Sequence, residues 1–291
     1  MAKDIVYLNG AWTARSQATV GIEDRGLMFG DGVYEMVRYY NAVGLAMAQH
    51  LERLEQSLAA VQIRLPPELA GLDQISDELM RRNELADASV YWQVTRGVAP
   101  RRHAFPPAGT PPTVLAMAYP APAFDPAAPL PTVKAISRTD RRWQLCSVKS
   151  LNLLANVLDA QAAADAGANE AILVRDGLVT EGTSRSILIV EGSCLRTHPL
   201  TDLILDSITR RIVLDLASSQ GLQVVQEPFD MKRLMAADEV IAAGTTTEVA
   251  TVLSVDGNPI GGGGPGPVAE RLFRAFRNYV ARSCRIDSGS P

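Results

Sequence analysis

The amino-acid sequence predicts a mixed α/β fold in two domains, and three observations support this prediction. The chain has 291 residues, which is long for one hydrophobic core and natural for two modest ones. Short apolar stretches typical of strands are interspersed with amphipathic helical stretches along the chain. Residues 119–132 (YPAPAFDPAAPLPT) interrupt this pattern and are rich in proline and alanine, which predicts an extended interdomain connector.

Residues 1–118 are predicted to form the smaller, N-terminal domain. Its strand-like stretches lie at 5–9, 32–40 and 89–96. Two helices are predicted in the same domain, at 49–62 and 67–83. The first of them is amphipathic, since its apolar residues recur at helical spacing: Leu51, Leu54, Leu58 and Val61.

Residues 133–285 are predicted to form a larger C-terminal domain, followed by a frayed tail at 286–291. Short apolar strands are expected at 132–136, 170–175, 186–190 and 239–243. Helices are expected at 151–166, 207–220 and 268–282. The middle helix is well bounded, because Asp206 or Ser207 can cap its start and Gly221 can end it.

The composition argues against several classes of partner. The chain is 47% hydrophobic and 21% charged, and its net charge of -4 gives no reason to expect nucleic acid or an anionic membrane. No apolar run is long enough for a signal peptide or a membrane span. The number of cysteines is odd and they are widely spaced, which suits reduced thiols in a cytoplasm; they are Cys146, Cys194 and Cys284. The three histidines are too scattered to suggest a metal site: His50, His103 and His198.

One of the four lysines has an unusual setting. Lys149 lies in CSVKSLNLLANVL, between an apolar strand-like end and an apolar helix, whereas Lys3, Lys134 and Lys232 lie in ordinary contexts. Partial desolvation would lower the pKa of Lys149 and make its amine a nucleophile and a proton-transfer base. The alternative is a lysine that extends into solvent at a helix start.

Two segments are candidate anion sites. Ser207-Ile208-Thr209 opens a helix, where unpaired N–H groups favour an anion, although every helix has such an end. Gly244-Thr245-Thr246-Thr247 follows an apolar strand and suits a phosphate or a polar turn equally. Arg53 can supply a bidentate cation, or be simply solvated. The glycine-rich run at 261–266 formally contains GxGxxG, but it lacks the preceding buried strand of a dinucleotide site.

Six motifs in order give these residues a common context. They are DRGLMFGDGVYEMVRYYN at 24–41, HLERL at 50–54, KSLN at 149–152, TEGTS at 180–184, SIT at 207–209 and GTTTEV at 244–249. Together they resemble fold-type IV pyridoxal-phosphate (PLP) enzymes, the group of D-amino acid transaminases, branched-chain aminotransferases and aminodeoxychorismate lyases. The matching stretches extend from Tyr7 to about Pro267 and imply a two-domain fold of that type.

The resemblance implies roles for individual residues around PLP. Lys149 corresponds to the lysine that carries the cofactor, and Glu181 to the glutamate at the pyridine nitrogen. Leu205 corresponds to a residue beneath the ring, a position that could equally be plain core. The phosphate would be bound by residues of three motifs, namely Arg53, Ile208, Thr209, Gly244 and Thr245.

A narrower match is to the D-amino acid transaminase branch. The stretch VTRG at 94–97, followed by PRRH at 100–103, is similar to the segment whose arginine and histidine bind the substrate carboxylate together with a tyrosine. The matching residues are Arg101, His103 and Tyr34. One departure is visible at Arg185-Ser186, where a serine and an asparagine are commoner. This arginine either pairs outward or alters the surroundings of the cofactor.

The resemblance implies a ping-pong transfer of the amino group from a D-amino acid, such as D-alanine or D-glutamate, to a 2-oxo acid. It also implies a homodimer with a shared active site, and the cysteines indicate a cytoplasmic location. Two alternatives of the same fold are a branched-chain L-amino acid aminotransferase, which would lack the arrangement of Arg101 and His103, and an aminodeoxychorismate lyase. A non-catalytic binding protein is a third, disfavoured by the intact Lys149, Glu181 and Arg53.

Overall fold

The computed structural model describes residues 4–66 and 71–286, which pack into two compact units. The first unit comprises the described residues within 1–125, 148–152 and 280–291. The second comprises residues 126–147 and 153–279. Each unit contains helices and one sheet, which confirms the mixed α/β class. Within the described ranges, no helix is long and apolar enough to cross a membrane.

The first unit is built on an antiparallel sheet of six strands. They are β1 (Ile5–Leu8), β2 (Ala11–Ala14), β3 (Gly32–Tyr40), β4 (Val43–Gly44), β5 (Ala88–Thr95) and β6 (Thr113–Pro120). Their spatial order is β2-β1-β6-β5-β3-β4. The strand predicted at 32–40 coincides with β3. Strand β6 extends to Pro120, so the first two residues of the predicted connector belong to the sheet.

Three helices accompany this sheet: α1 (Arg25–Phe29), α2 (Met47–Ala60) and α3 (Leu72–Asn83). The apolar stripe of α2 packs on β3, and α3 packs on β1 and β6. The indole N–H of the fully buried Trp92 donates to Ser76 Oγ on α3 at 2.7 Å, which satisfies the one polar atom of that side chain. Residues 67–70 of the helix predicted at 67–83 lie outside the described residues.

The second unit is built on a mixed sheet of nine strands. They are β7 (Thr132–Thr139), β8 (Glu170–Arg175), β9 (Leu178–Gly182), β10 (Ser186–Glu191), β11 (Cys194–Thr197), β12 (Gln223–Gln226), β13 (Glu239–Gly244), β14 (Glu248–Val255) and β15 (Asn258–Pro259). Their order is β12-β11-β10-β13-β14-β7-β8-β9, and β15 pairs with β14. The neighbours β11–β12, β14–β7 and β7–β8 are parallel. Both faces of β13 are buried, which explains its largely apolar sequence.

Two hairpins of this sheet turn on the same dipeptide. Asp176-Gly177 joins β8 to β9 and Asp256-Gly257 joins β14 to β15, and all four residues have positive φ. A two-residue turn with positive φ at both positions matches the twist of the flanking strands and favours Asp-Gly. These dipeptides therefore fix the strands β9 and β15, which the apolar pattern alone does not predict.

Four helices complete the described part of the chain: α4 (Leu154–Asp165), α5 (Ile208–Ser219), α6 (Met231–Ala236) and α7 (Pro267–Ser283). Helix α5 packs against β13 and agrees with the helix predicted at 207–220. Its N-cap is Ser207, whose hydroxyl accepts from the N–H of Arg210 at 3.3 Å. Gly221, with φ of 80°, follows its end.

Two segments within the predicted C-terminal domain at 133–285 lie in the first unit instead. At 148–152 the cause is backbone pairing with β3, since Tyr34 N donates to Lys149 O at 2.9 Å and Leu151 N donates to Gly32 O at 3.0 Å. This pairing also delays the start of α4 from the predicted 151 to Leu154. Near the end of the chain, Asn41 Nδ2 donates to Arg285 O at 3.3 Å.

Candidate functional site

Lys149 is held by its main chain beside Tyr34. Besides the bond from Tyr34 N, the N–H of Lys149 donates to Ser57 Oγ of α2 at 3.2 Å. The half-buried side chain places Nζ 4.3 Å from the centroid of the Tyr34 ring. The structure thus brings together two of the residues that the sequence singles out, an amine and a phenol, on one edge of β3.

Arg53 belongs to a buried charged cluster rather than to the solvated face of α2. Its Nε and Nη2 donate to the two carboxylate oxygens of Glu35 at 2.9 and 2.6 Å, and His50 Nδ1 lies 3.1 Å from Glu35 Oε1. Burial opposes ionisation of Glu35, but the charge of Arg53 holds the pKa of this carboxyl well below its usual value. The two-pronged pairing fixes the plane of the guanidinium. The alternative that Arg53 is simply a solvated surface arginine is therefore wrong.

Arg101 and His103 lie together on an exposed loop of the first unit. The Arg101 guanidinium carbon is 5.2 Å from the centroid of the Phe29 ring, and the imidazole of His103 is 5.5 Å from the same ring. The buried Arg25 anchors this loop, because its Nη1 donates to the carbonyl oxygen of Arg102 at 2.6 Å. The side chain of Arg102 itself is exposed.

Glu181 lies at the end of β9 in the second unit, where Arg142 and the backbone of Leu205 donate to its carboxylate. Arg142 Nη1 contacts Glu181 Oε1, and the N–H of Leu205 lies 3.3 Å from both oxygens. Arg142 also donates to Asp140 at 2.8 and 3.0 Å. Burial lowers the pKa of Arg142, but Asp140 and Glu181 outweigh burial and raise it above its ordinary value. Glu181 is therefore paired with a permanent cation, which favours its ionised form.

The two candidate anion segments also lie in the second unit. Ile208 and Thr209 are buried in the first turn of α5, where backbone N–H groups have no acceptor within the helix. Gly244 ends β13, and Thr245–Thr247 form the tight turn to β14. Helix α5 packs on β13. The N–H groups at the start of α5 and the hydroxyl groups of the turn after β13 are therefore carried by two elements that contact each other. Leu205, which precedes α5, is half-buried and so is not plain core.

Arg185 pairs inward rather than outward. Its Nη1 donates to Glu170 Oε2 at 2.6 Å, and its Nε donates to Thr247 Oγ1 at 2.7 Å. The arginine that departs from the family pattern therefore contacts the turn that contains Thr245.

The apolar pattern and the motifs do not single out three of these charged residues: Glu35, Arg142 and Glu170. Each is a buried partner of a candidate residue or segment. A signal exists only for Glu35, which lies in a largely apolar strand where a buried ionised group needs a cation. Arg142 stands in the polar stretch DRRW and carries no such mark.

Comparison with known proteins gives a consistent result. The family model for amino-transferase class IV matches residues 32–255. The chain is 43% identical over 275 residues to the D-alanine aminotransferase of Bacillus licheniformis, with 94% of this chain and 96% of that protein covered. It is 36% identical over 278 residues to the D-alanine aminotransferase of Staphylococcus haemolyticus, with coverage of 94% and 97%.

Solved structures with a similar fold include branched-chain enzymes. The branched-chain amino acid aminotransferase of Escherichia coli superimposes with a TM-score of 0.88 at 26% identity, covering 99% of this chain and 98% of that one. The branched-chain aminotransferase of the archaeon Thermoproteus uzoniensis, solved with norvaline, gives 0.86 at 25% identity, covering 96% and 95%.

The buried Glu35 cluster generates a stability prediction. Glu35→Gln removes the counter-charge of a buried arginine, so the free energy of unfolding should fall by about 3–5 kcal/mol. Since the pKa of Glu35 is lowered in the folded state, its contribution is present above the unfolded pKa of about 4.3 and is lost as the pH falls. Urea unfolding at pH 7 and pH 3 should therefore show a smaller wild-type-to-variant difference at pH 3.

The matched control is Glu78→Gln, which removes the same charge from the solvent-facing pairs with Arg81 and Arg82. Its unfolding midpoint should remain close to that of the wild type. Equal effects of the two substitutions at pH 7 would contradict a special role for the buried cluster.

Proposed function

The chain belongs to the class IV aminotransferase family, and from this premise we infer that it is a PLP-dependent D-amino acid aminotransferase in which Lys149 carries the cofactor. The single observation that carries the choice of lysine is the fixed backbone of Lys149 beside Tyr34. The choice of D-amino acids rests on nearly full-length relatives that are D-alanine aminotransferases. The substrates are therefore a D-amino acid and a 2-oxo acid.

The residues present fit PLP. Its phosphate needs cationic and N–H donors, which Arg53 and the buried first turn of α5 at Ile208 and Thr209 offer. Gly244 and Thr245 add a bare backbone and a hydroxyl. Its pyridine nitrogen needs a carboxylate, and Glu181 is fixed for that purpose by Arg142 and the N–H of Leu205. The half-buried side chain of Leu205 offers an apolar surface for one face of the ring.

When bound, the cofactor supplies an electron sink for the pair released from the Cα–H bond of the substrate. Lys149 Nζ removes the proton from Cα, and the neighbouring Tyr34 ring restricts where that amine can move. Glu181 stays negatively charged beside Arg142 and so favours a protonated nitrogen opposite it. Over a full cycle one D-amino acid becomes its 2-oxo acid, and a second 2-oxo acid becomes a D-amino acid.

The substrate carboxylate is assigned to Arg101, His103 and Tyr34. A guanidinium beside an imidazole provides charge-assisted hydrogen bonds to a carboxylate. The contact of both Arg101 and His103 with Phe29, and the bond from Arg25 to the carbonyl of Arg102, support a preformed loop. A branched-chain aminotransferase would not be expected to arrange Arg101 and His103 in this way.

The active unit is proposed to be a homodimer in which the loop of Arg101 and His103 serves the site of the neighbouring subunit. Two surfaces support association. On α4 the residues Leu154, Val157 and Leu158 follow helical spacing and are 72%, 58% and 55% exposed. In the first unit Ile22 and Leu27 are 83% and 72% exposed. The cysteines are free thiols, which supports a cytoplasmic location.

Lys149→Ala should abolish transamination, because the reaction loses both its cofactor-carrying amine and its proton-transfer base. Borohydride reduction of the wild-type holoenzyme followed by peptide mapping should find the cofactor on Lys149. The control Lys134→Ala, in a strand of the second unit, should retain activity. A label on Lys134 or Lys232 would contradict the assignment of Lys149 as the lysine that carries the cofactor.

Glu181→Gln should slow the single turnover of D-alanine by roughly a hundredfold, since an amide carries no charge to stabilise the protonated pyridine nitrogen. PLP should still bind through Lys149. The matched control is Glu227→Gln, which removes a carboxylate paired with Arg196 on β11. An unchanged single-turnover rate in the Glu181 variant would show that another group faces the nitrogen.

Arg101→Ala should raise the Michaelis constant for D-alanine by about ten- to a hundredfold, the loss of a charge-assisted contact worth about 1.5–3 kcal/mol. The PLP spectrum and activity toward amines without a carboxylate should be unaffected. Arg102→Ala is the control, since its exposed side chain should have little effect while its carbonyl still accepts from Arg25.

Complementation tests the shared site. Lys149→Ala subunits mixed with Arg101→Ala subunits form hybrids with one intact lysine and one intact loop. Partial recovery of D-alanine activity is expected if the loop serves the neighbouring site. Proven subunit exchange without recovery would place the carboxylate site within one chain.

A further inference from the structure

Arg185 connects two parts of the second unit that the proposed function places around the cofactor. It lies between β9, which carries Glu181, and β10. Its guanidinium donates from Nη1 to Glu170 Oε2 at 2.6 Å and from Nε to Thr247 Oγ1 at 2.7 Å. A third bond, from Nη1 to the carbonyl oxygen of Asn169, has a length of 3.1 Å. The side chain therefore has a fixed position rather than the freedom of a surface arginine.

Glu170 extends this connection to the TEGTS segment. Its side chain is fully buried, and Oε1 accepts from the N–H of Thr183 at 2.8 Å and from the Thr183 hydroxyl. A Cβ at Gly182 would lie 2.9 Å from Glu170 Cδ, so a glycine is needed for this close approach. Since Gly182 directly follows Glu181, one carboxylate joins the Glu181 segment to Arg185.

On the other side, Arg185 orients the turn Thr245–Thr247. Thr247 accepts from the arginine, which leaves its hydroxyl hydrogen available, and within the described residues Thr247 Oγ1 donates to no acceptor. The next residue, Glu248, has φ of 59°, and Arg277 Nη1 donates to its carboxylate at 2.8 and 3.0 Å. Two arginines therefore fix the end of the turn, and one of them directs a hydroxyl donor.

We propose that Arg185 is a positioning residue for the phosphate group of PLP. By holding Thr247, it keeps the Thr245–Thr247 turn in the conformation in which hydroxyl groups donate to a phosphate dianion. Through Glu170 it couples that turn to the segment of Glu181. This inference rests on the proposed function, which assigns the phosphate to Thr245 and its neighbours.

The chemistry of arginine allows a selective test. Arg185→Lys keeps a cation for Glu170, but one ammonium cannot reproduce the separate Nη1 and Nε contacts of the guanidinium. Thr247→Val removes the hydroxyl with little change of shape, whereas Thr247→Ser keeps it. A purely structural ion pair would be sensitive to the arginine and indifferent to the hydroxyl.

The experiment measures three properties of each variant: the dissociation constant of PLP from the apo-protein, the ³¹P resonance of the bound phosphate, and the thermal midpoint of the apo-protein. Arg185→Lys and Thr247→Val should each weaken PLP binding about tenfold and shift the ³¹P resonance, with the apo midpoint nearly unchanged. Thr247→Ser should resemble the wild type. The double variant should lose no more affinity than either single variant, because both act on one contact.

The control is Arg196→Lys, which affects an arginine on β11 that pairs with Glu191 and Glu227 and is similarly little exposed. It should leave PLP affinity unchanged. Wild-type affinity and an unshifted resonance in Thr247→Val, or a loss of apo stability in Arg185→Lys without weaker PLP binding, would overturn the inference alone. Failure of the wild-type apo-protein to bind PLP would overturn the proposed function together with it.

Discussion

The position of Lys149 depends on main-chain hydrogen bonds rather than on its own side chain. The segment 148–152 pairs with the first residues of β3 through bonds between Tyr34 and Lys149 and between Leu151 and Gly32. These bonds fix the backbone of Lys149, and its Nζ lies 4.3 Å from the centroid of the Tyr34 ring. The same pairing keeps residues 151–153 out of α4.

Both units contain arginine–carboxylate ion pairs at their candidate site residues. Glu35 pairs with Arg53 in the first unit, and Glu181 with Arg142 and Glu170 with Arg185 in the second, all with little access to water. Such pairs add little net stability, because desolvation offsets most of the attraction. Their benefit is geometric: a forked guanidinium and a carboxylate define each other's orientation. Under the proposed function, these side chains would already be oriented before the cofactor binds.

The apolar pattern predicts the elements with distinct ends but misses other strands, including the apolar β6 and β14. Strand β3 and helix α5 have strong patterns and distinct ends, and both are found as predicted. Strands β9 and β15 are short and are specified by Asp-Gly turns. The placement of 148–152 depends on pairing with residues more than a hundred positions away, which no local pattern encodes. For the site, motif resemblance identified the candidate residues, but the pairing of their buried partners Glu35, Arg142 and Glu170 emerges only from the packed structure.

Under the proposed function, this protein transfers the amino group of a D-amino acid through a cofactor carried on Lys149. The most direct measurement is the half-reaction of the purified holoenzyme with D-alanine, D-glutamate and L-leucine in turn, followed by the cofactor spectrum without a 2-oxo acid. A D-amino acid aminotransferase should lose the visible absorbance of its lysine-linked cofactor with D-alanine or D-glutamate, and addition of a 2-oxo acid should restore it. Conversion by L-leucine but by neither D-amino acid would contradict the claim and favour a branched-chain enzyme.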